Sequence, residues 1–116
     1  MVSNKNMRMK SLFEEEEFKN DTSIGKYVRI LRLAYENNKW EFSKLTKIEG
    51  EKRQFIFKPS GGSKSRMKSR PRKIKETPYH VITRINNMTK KKVIKEAMDM
   101  LGYSEEVASM AAGQID

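Results

Sequence analysis

Residues 79–102, YHVITRINNMTKKKVIKEAMDMLG, decide the fold, because the hydrophobic period changes inside them. Tyr79, Val81, Thr83 and Ile85 alternate with His80, Ile82 and Arg84, and β-branched and aromatic residues dominate, so YHVITRI reads as a strand. Asn86-Asn87 end it. Thr89 is then placed to cap a helix that carries Val93, Ile94, Ala97, Met98 and Leu101 at helical spacing and is closed by Gly102. Ser104 caps a last short helix through Ala112.

Upstream, Thr22 or Ser23 caps a helix with Ile24, Val28, Leu31 and Tyr35 at i, i+4, i+7 and i+11, stopped by Asn37-Asn38. Trp40 and Phe42 begin the strand-like segment WEFSKLTKI, and with the turn at Glu49-Gly50 and the run QFIF it predicts a β-hairpin. The order helix, strand, strand, arm, strand, helix, helix implies an α+β domain. Its antiparallel sheet of about three strands is covered by two or three helices, and a flexible basic arm leaves it. The expected segments are a tail over 1–20 with an acidic block at 14–17, a helix plus hairpin over 21–58, the arm over 59–77, and a strand plus two helices over 78–116 that pack with 21–58.

The 116 residues leave room for one small domain, and the net charge of +10 points to a polyanionic partner. That charge is concentrated: residues 51–95 carry +13, residues 1–50 only +2, and residues 96–116 carry −5. Lys58 to Lys75, KPSGGSKSRMKSRPRKIK, holds no acidic residue, and its Pro, Gly and Ser content breaks any regular pattern. Lys64, Arg66, Lys68, Arg70, Arg72, Lys73 and Lys75 are therefore the leading candidates for phosphate-backbone contacts, with Arg84 beyond them. Lys90, Lys91 and Lys92 lie in a first helical turn, where free amides suit a phosphate and the macrodipole disfavours positive charge that no anion neutralises. Trp40, Phe42, Phe55 and Phe57 could stack on unpaired bases or fill the core.

Cysteine is absent and His80 is the sole histidine, which removes thiolate and two-histidine metal sites and Cys nucleophiles. No catalytic residue, metal site or cofactor is expected, and no scattered group of glutamates matches a nuclease pattern. No apolar run approaches the roughly 18 residues of a membrane span, and the start of the chain lacks a secretory apolar region. A soluble cytoplasmic protein follows.

Two local strings resemble known families. SRPRK around Pro71 resembles an AT-hook, although the glycine of that hook is missing, and the resemblance implies minor-groove insertion. PYHVITRINN, residues 78–87, resembles the opening strand of the small single-strand transposases that cut through a tyrosine. Their histidine pair has no counterpart here, so the resemblance does not extend to activity. The expected function is a nucleic-acid-binding accessory or regulatory protein using the basic arm on DNA or RNA. The alternative is a small phage-type protein that modulates a host protein through that arm and its Met-rich C-terminal helices.

Overall fold

In the computed structural model, which describes residues 4–48, 55–57 and 72–115, two helices occupy the region expected as a tail. They are α1 (Asn4–Glu14) and α2 (Glu16–Lys19). Met9, Leu12, Phe13 and Phe18 are buried, so the apolar residues that flank the acidic block anchor this segment to the core, while Glu14 to Glu17 stay exposed. Helix α3 (Ser23–Asn37) starts where the sequence predicts: the Gly25 amide donates to the Thr22 hydroxyl oxygen at 3.0 Å. Its buried stripe is Tyr27, Ile30, Leu31 and Ala34, rotated slightly from the expected one, with Val28 and Tyr35 half-buried beside it.

The expected hairpin is replaced. Residues Phe42–Lys47 form a 3₁₀ helix, because the buried residues Phe42, Leu45 and Ile48 recur every third position, whereas a strand needs every second. Residues 49–54, including the expected turn, lie outside the described residues. Phe42 enters a ring cluster with Tyr35 at 5.4 Å and Tyr79 at 4.8 Å, and Phe55 and Phe57 are buried too. These three phenylalanines belong to the core and do not offer a stacking platform; Trp40, by contrast, is 96% exposed.

The sheet is small and antiparallel, with β1 (Ile56–Phe57), β2 (Arg72–Lys73) and β3 (His80–Val81) in the order β1-β3-β2. Ile56 and Arg72 both face Val81, and Phe57 and Lys73 both face His80. β3 is shorter than the expected strand over 79–85, but pairing continues at its ends: Ile82 N–H donates to Phe55 at 2.8 Å and Ile74 N–H to Tyr79 at 2.9 Å. The α+β architecture with a three-strand antiparallel sheet stands as the sequence predicts.

Helices α4 (Asn87–Met100) and α5 (Glu105–Gly113) pack against each other and close the core through Val93, Ile94, Ala97, Val107, Ala108 and Ala111. Gly102 supplies the turn between them with φ 82°, a conformation glycine adopts at little cost. Ser104 caps α5 as expected, accepting from Val107 at 3.2 Å. Helix α1 fastens this end: Lys5 donates to the Leu101 carbonyl, and Asn6 accepts from the Ser104 amide at 3.0 Å. The Tyr103 hydroxyl accepts from Asn37 and Asn38 at 3.1 Å each, which joins the ends of α3 and α4.

The placement of the aromatics sets an expected outcome. Phe42→Ala should lower unfolding free energy by about 3–5 kcal/mol, as for a large side chain removed from a packed core. Trp40→Ala should change it by less than about 0.5 kcal/mol. Chemical denaturation of both variants checks this, and equal small effects would contradict the 3₁₀ assignment.

Candidate nucleic-acid interface

β3 is the central strand, and the chain leaving it carries Arg84 and runs into the start of α4. Ile82 and Thr83 are buried, Arg84 is exposed, and Ile85 packs half-buried against the core. The helix cap is Asn86, where the sequence reading places Thr89: the Asn86 side-chain oxygen accepts from the Thr89 amide at 2.8 Å. The signal for it was present, since an asparagine directly before a helical pattern is as good a cap as threonine.

Lys90 corrects the expectation of a surface cluster. It is 5% exposed, and its ammonium donates to the Ile85 carbonyl at 3.1 Å and to the Asn87 side-chain oxygen at 3.4 Å. A cation in a first helical turn opposes the macrodipole, and here a backbone carbonyl and an amide oxygen offset that cost. Lys90 thus braces the joint between β3 and α4 and is not presented to a ligand. Arg84 and Lys92 are exposed and Lys91 is partly so, while Asn87 and Met88, the latter 81% exposed, stand at the start of the helix.

Of the arm residues, Arg72 and Lys73 lie exposed on β2, the outer strand of the described sheet, and Lys75 is exposed in the turn that follows. Arg72 faces Val81 across the ladder, so Arg72 and Arg84 flank the same end of β3, while Lys73 stands opposite His80. Lys64, Arg66, Lys68 and Arg70 lie outside the described residues, as does most of the string SRPRK. Among the described residues no three His, Asp or Glu side chains are placed to hold a metal, and no helix is long and apolar enough to cross a membrane.

His80 stacks on Phe57 with ring centroids 5.9 Å apart and planes at 24°. Its Nδ1 is buried and has no hydrogen-bond partner among the described residues. Burial first, and the Lys73 charge second, hold its pKa below the ordinary 6.5. The unfolded chain therefore binds this proton more readily. The neutral histidine's contribution is fully present above about pH 6.5 and is lost as pH falls through the lower folded value. Thermal unfolding should show a larger drop in Tm from pH 7 to pH 5 for the parent than for His80→Gln; equal drops would contradict the assignment.

The fold and this joint define a small cationic α+β domain with exposed positive charge where a strand feeds a helix. Residues 7–114 match the SeqA protein C-terminal domain, and the chain belongs to that family. It is similar to the "Negative modulator of initiation of replication" of Tolumonas auensis, 28% identical over 98 residues that make up 84% of this chain and 58% of the relative. The protein of the same name from Photobacterium profundum is 28% identical over 109 residues, 92% of this chain and 61% of that protein. This chain thus spans about three fifths of the length of those relatives. The crystal structure of V. cholerae SeqA superposes with a TM-score of 0.84 at 22% identity, covering 98% of this chain and all of that one, which shows the shared fold. The relatives are bacterial proteins, so the phage-type alternative gives way to this family, and PYHVITRINN is the strand-to-helix joint of a SeqA domain.

Proposed function

We propose that this chain is a DNA-binding regulatory domain that acts inside the cell in the control of replication initiation, with no catalytic role of its own. The observation that carries the reading is the family match over residues 7–114, to relatives named for modulating initiation, an event that takes place on duplex DNA. The charge supports it: Arg84 and Lys92 are exposed around the capped start of α4, with Lys91 partly exposed between them. There they would engage phosphates beside the free amides of the first turn. Lys64, Arg66, Lys68 and Arg70 of the arm, with Arg72, complete the proposed contact set, while Lys73 and Lys75 meet only duplex that runs on past the joint; Lys90 serves it by bracing the joint.

Asparagine pairs with the N6/N7 edge of adenine in the major groove, so the exposed Asn87 makes N6 methylation the first base modification to compare. The probes are duplexes with adenine N6-methylated on neither, one or both strands. A protein partner is the second reading. Trp40, almost wholly exposed, favours it, because aromatic side chains of this size anchor interfaces. Loss of DNA binding on Trp40→Ala would point that way only if a protein complex disappeared with it.

A salt-titrated binding assay on duplex DNA, single-stranded DNA and RNA tests the main reading. The triple variant Arg84→Ala, Lys91→Ala, Lys92→Ala should weaken duplex binding at moderate salt. It should also flatten the plot of log K against log salt by about 0.9 for each phosphate that the variant no longer neutralises. A parent that ignores duplex DNA, or a triple variant with unchanged affinity and slope, would contradict it.

A further inference from the structure

A cleft of about 420 Å³ opens between α3 and β2, with Arg72 on its wall. Five basic side chains line it, Arg29 and Arg32 from α3 and Arg72, Lys73 and Lys75 from β2 and its turn, against two carboxylates, Glu17 and Asp21. We propose that this cleft is a second phosphate site, which holds the DNA backbone flanking the segment contacted at the start of α4. The proposal rests on the DNA reading above and extends it to Arg29 and Arg32 of α3.

The two arginines are fixed on the cleft wall. Arg29 Nε donates to Asp21 at 2.7 Å, and its Nη1 lies 3.9 Å from Glu17. Asp21 also accepts from the Thr22 amide at 2.7 Å, and these two bonds, with the Arg72 charge, hold its carboxyl below the usual range. Gly25 makes that arrangement possible, because a Cβ there would sit 2.1 Å from the Asp21 oxygen. Arg32 is held by Glu36 at 3.4 Å and by Glu76. Glu76 adopts φ 63°, a left-handed conformation that a non-glycine residue takes at a cost, in the turn that presents Lys75. Arg72, Lys73 and Lys75 make no ion pair with any described residue, and with Arg29 and Arg32 they outnumber Glu17, Asp21, Glu36 and Glu76 by one, so the cleft keeps a small positive excess beside two pre-positioned guanidinium groups.

Register ties this cleft to the α4 joint. β2 runs antiparallel to β3 with Arg72 opposite Val81, so Arg72 stands at the end of β3 from which the chain continues to Arg84. Three residues carry the chain from Val81 to Arg84, and on the other side Arg72 leads through Lys73 into the turn that holds Lys75. A straight duplex seated at the joint would bring its flanking phosphates to the cleft.

The test compares 10-base-pair and 20-base-pair duplexes, with the full chain and a Lys73→Glu, Lys75→Glu variant. Lys73→Gln, Lys75→Gln serves as a milder second pair, and a thermal melt confirms folding. The parent should show a salt slope steeper by about 2–3 on the longer duplex. The glutamate variant should lose that extra slope and at least tenfold in affinity on the longer duplex, and little on the shorter. Equal loss on both lengths, or no loss on the longer, overturns the second site while leaving the α4 site standing. A parent that binds neither duplex overturns the DNA reading with it. Inorganic phosphate titrated alone separates the sources: saturable binding at Arg29 and Arg32 amides that a 20-base-pair duplex does not displace would make the cleft a small-anion pocket and contradict the proposal.

Discussion

The exposed charge of this domain depends on one buried charge. Lys90 sits inside the first turn of α4, and its ammonium reaches back to the Ile85 carbonyl, one residue before the Asn86 cap. Hydrogen bonds from a charged donor contribute roughly 1.5–3 kcal/mol each, and a buried ammonium without them would be strongly destabilising. This bond fixes how the chain turns from the central strand into the helix. That turn sets where Arg84, Asn87 and Lys92 stand relative to one another around the strand-to-helix joint.

From that joint the rest of the molecule follows by packing. β3 is held on both sides, by Ile56 and Phe57 of β1 and by Arg72 and Lys73 of β2, so the strand that carries the joint cannot shift without breaking two ladders. Val93, Ile94 and Ala97 bury one face of α4 in the core, which leaves Lys92 on the solvent side. At the opposite end of α4, Lys5 and Asn6 of α1 fasten Leu101 and Ser104. The negative charge of the C-terminal segment is partly neutralised at a distance from the joint, Glu105 by Lys95 and Glu106 by Lys10. Positive charge is thereby left dominant at the sheet edge and the start of α4.

Much of this architecture was legible in the residues. Thr22, Ser104 and Gly102 mark helix ends by side-chain chemistry that acts locally, and all three do so in the structure. The alternation in YHVITRI located the central strand, though only His80–Val81 meet partners on both sides. WEFSKLTKI misled because aromatic and β-branched residues suit a strand, while its burial follows a period of three that becomes visible only once Tyr35 and Tyr79 supply the surface for Phe42. The site divides the same way. Composition pointed to the β2 and α4 cations, but Lys90's burial and the meeting of Arg29 and Arg32 with Arg72 depend on tertiary packing that no local pattern encodes. The family, too, lay beyond composition and periodicity.

The central claim is that the strand-to-helix joint presents its cations to a DNA backbone. Amide resonances of the isotope-labelled chain, followed during titration with a 20-base-pair duplex, test it most directly. The largest shifts are expected at Arg84 and at Asn87 to Lys92, followed by Arg72 to Lys75, with α5 nearly unmoved. Shifts concentrated on α5, or none at the joint at saturating duplex, would contradict it.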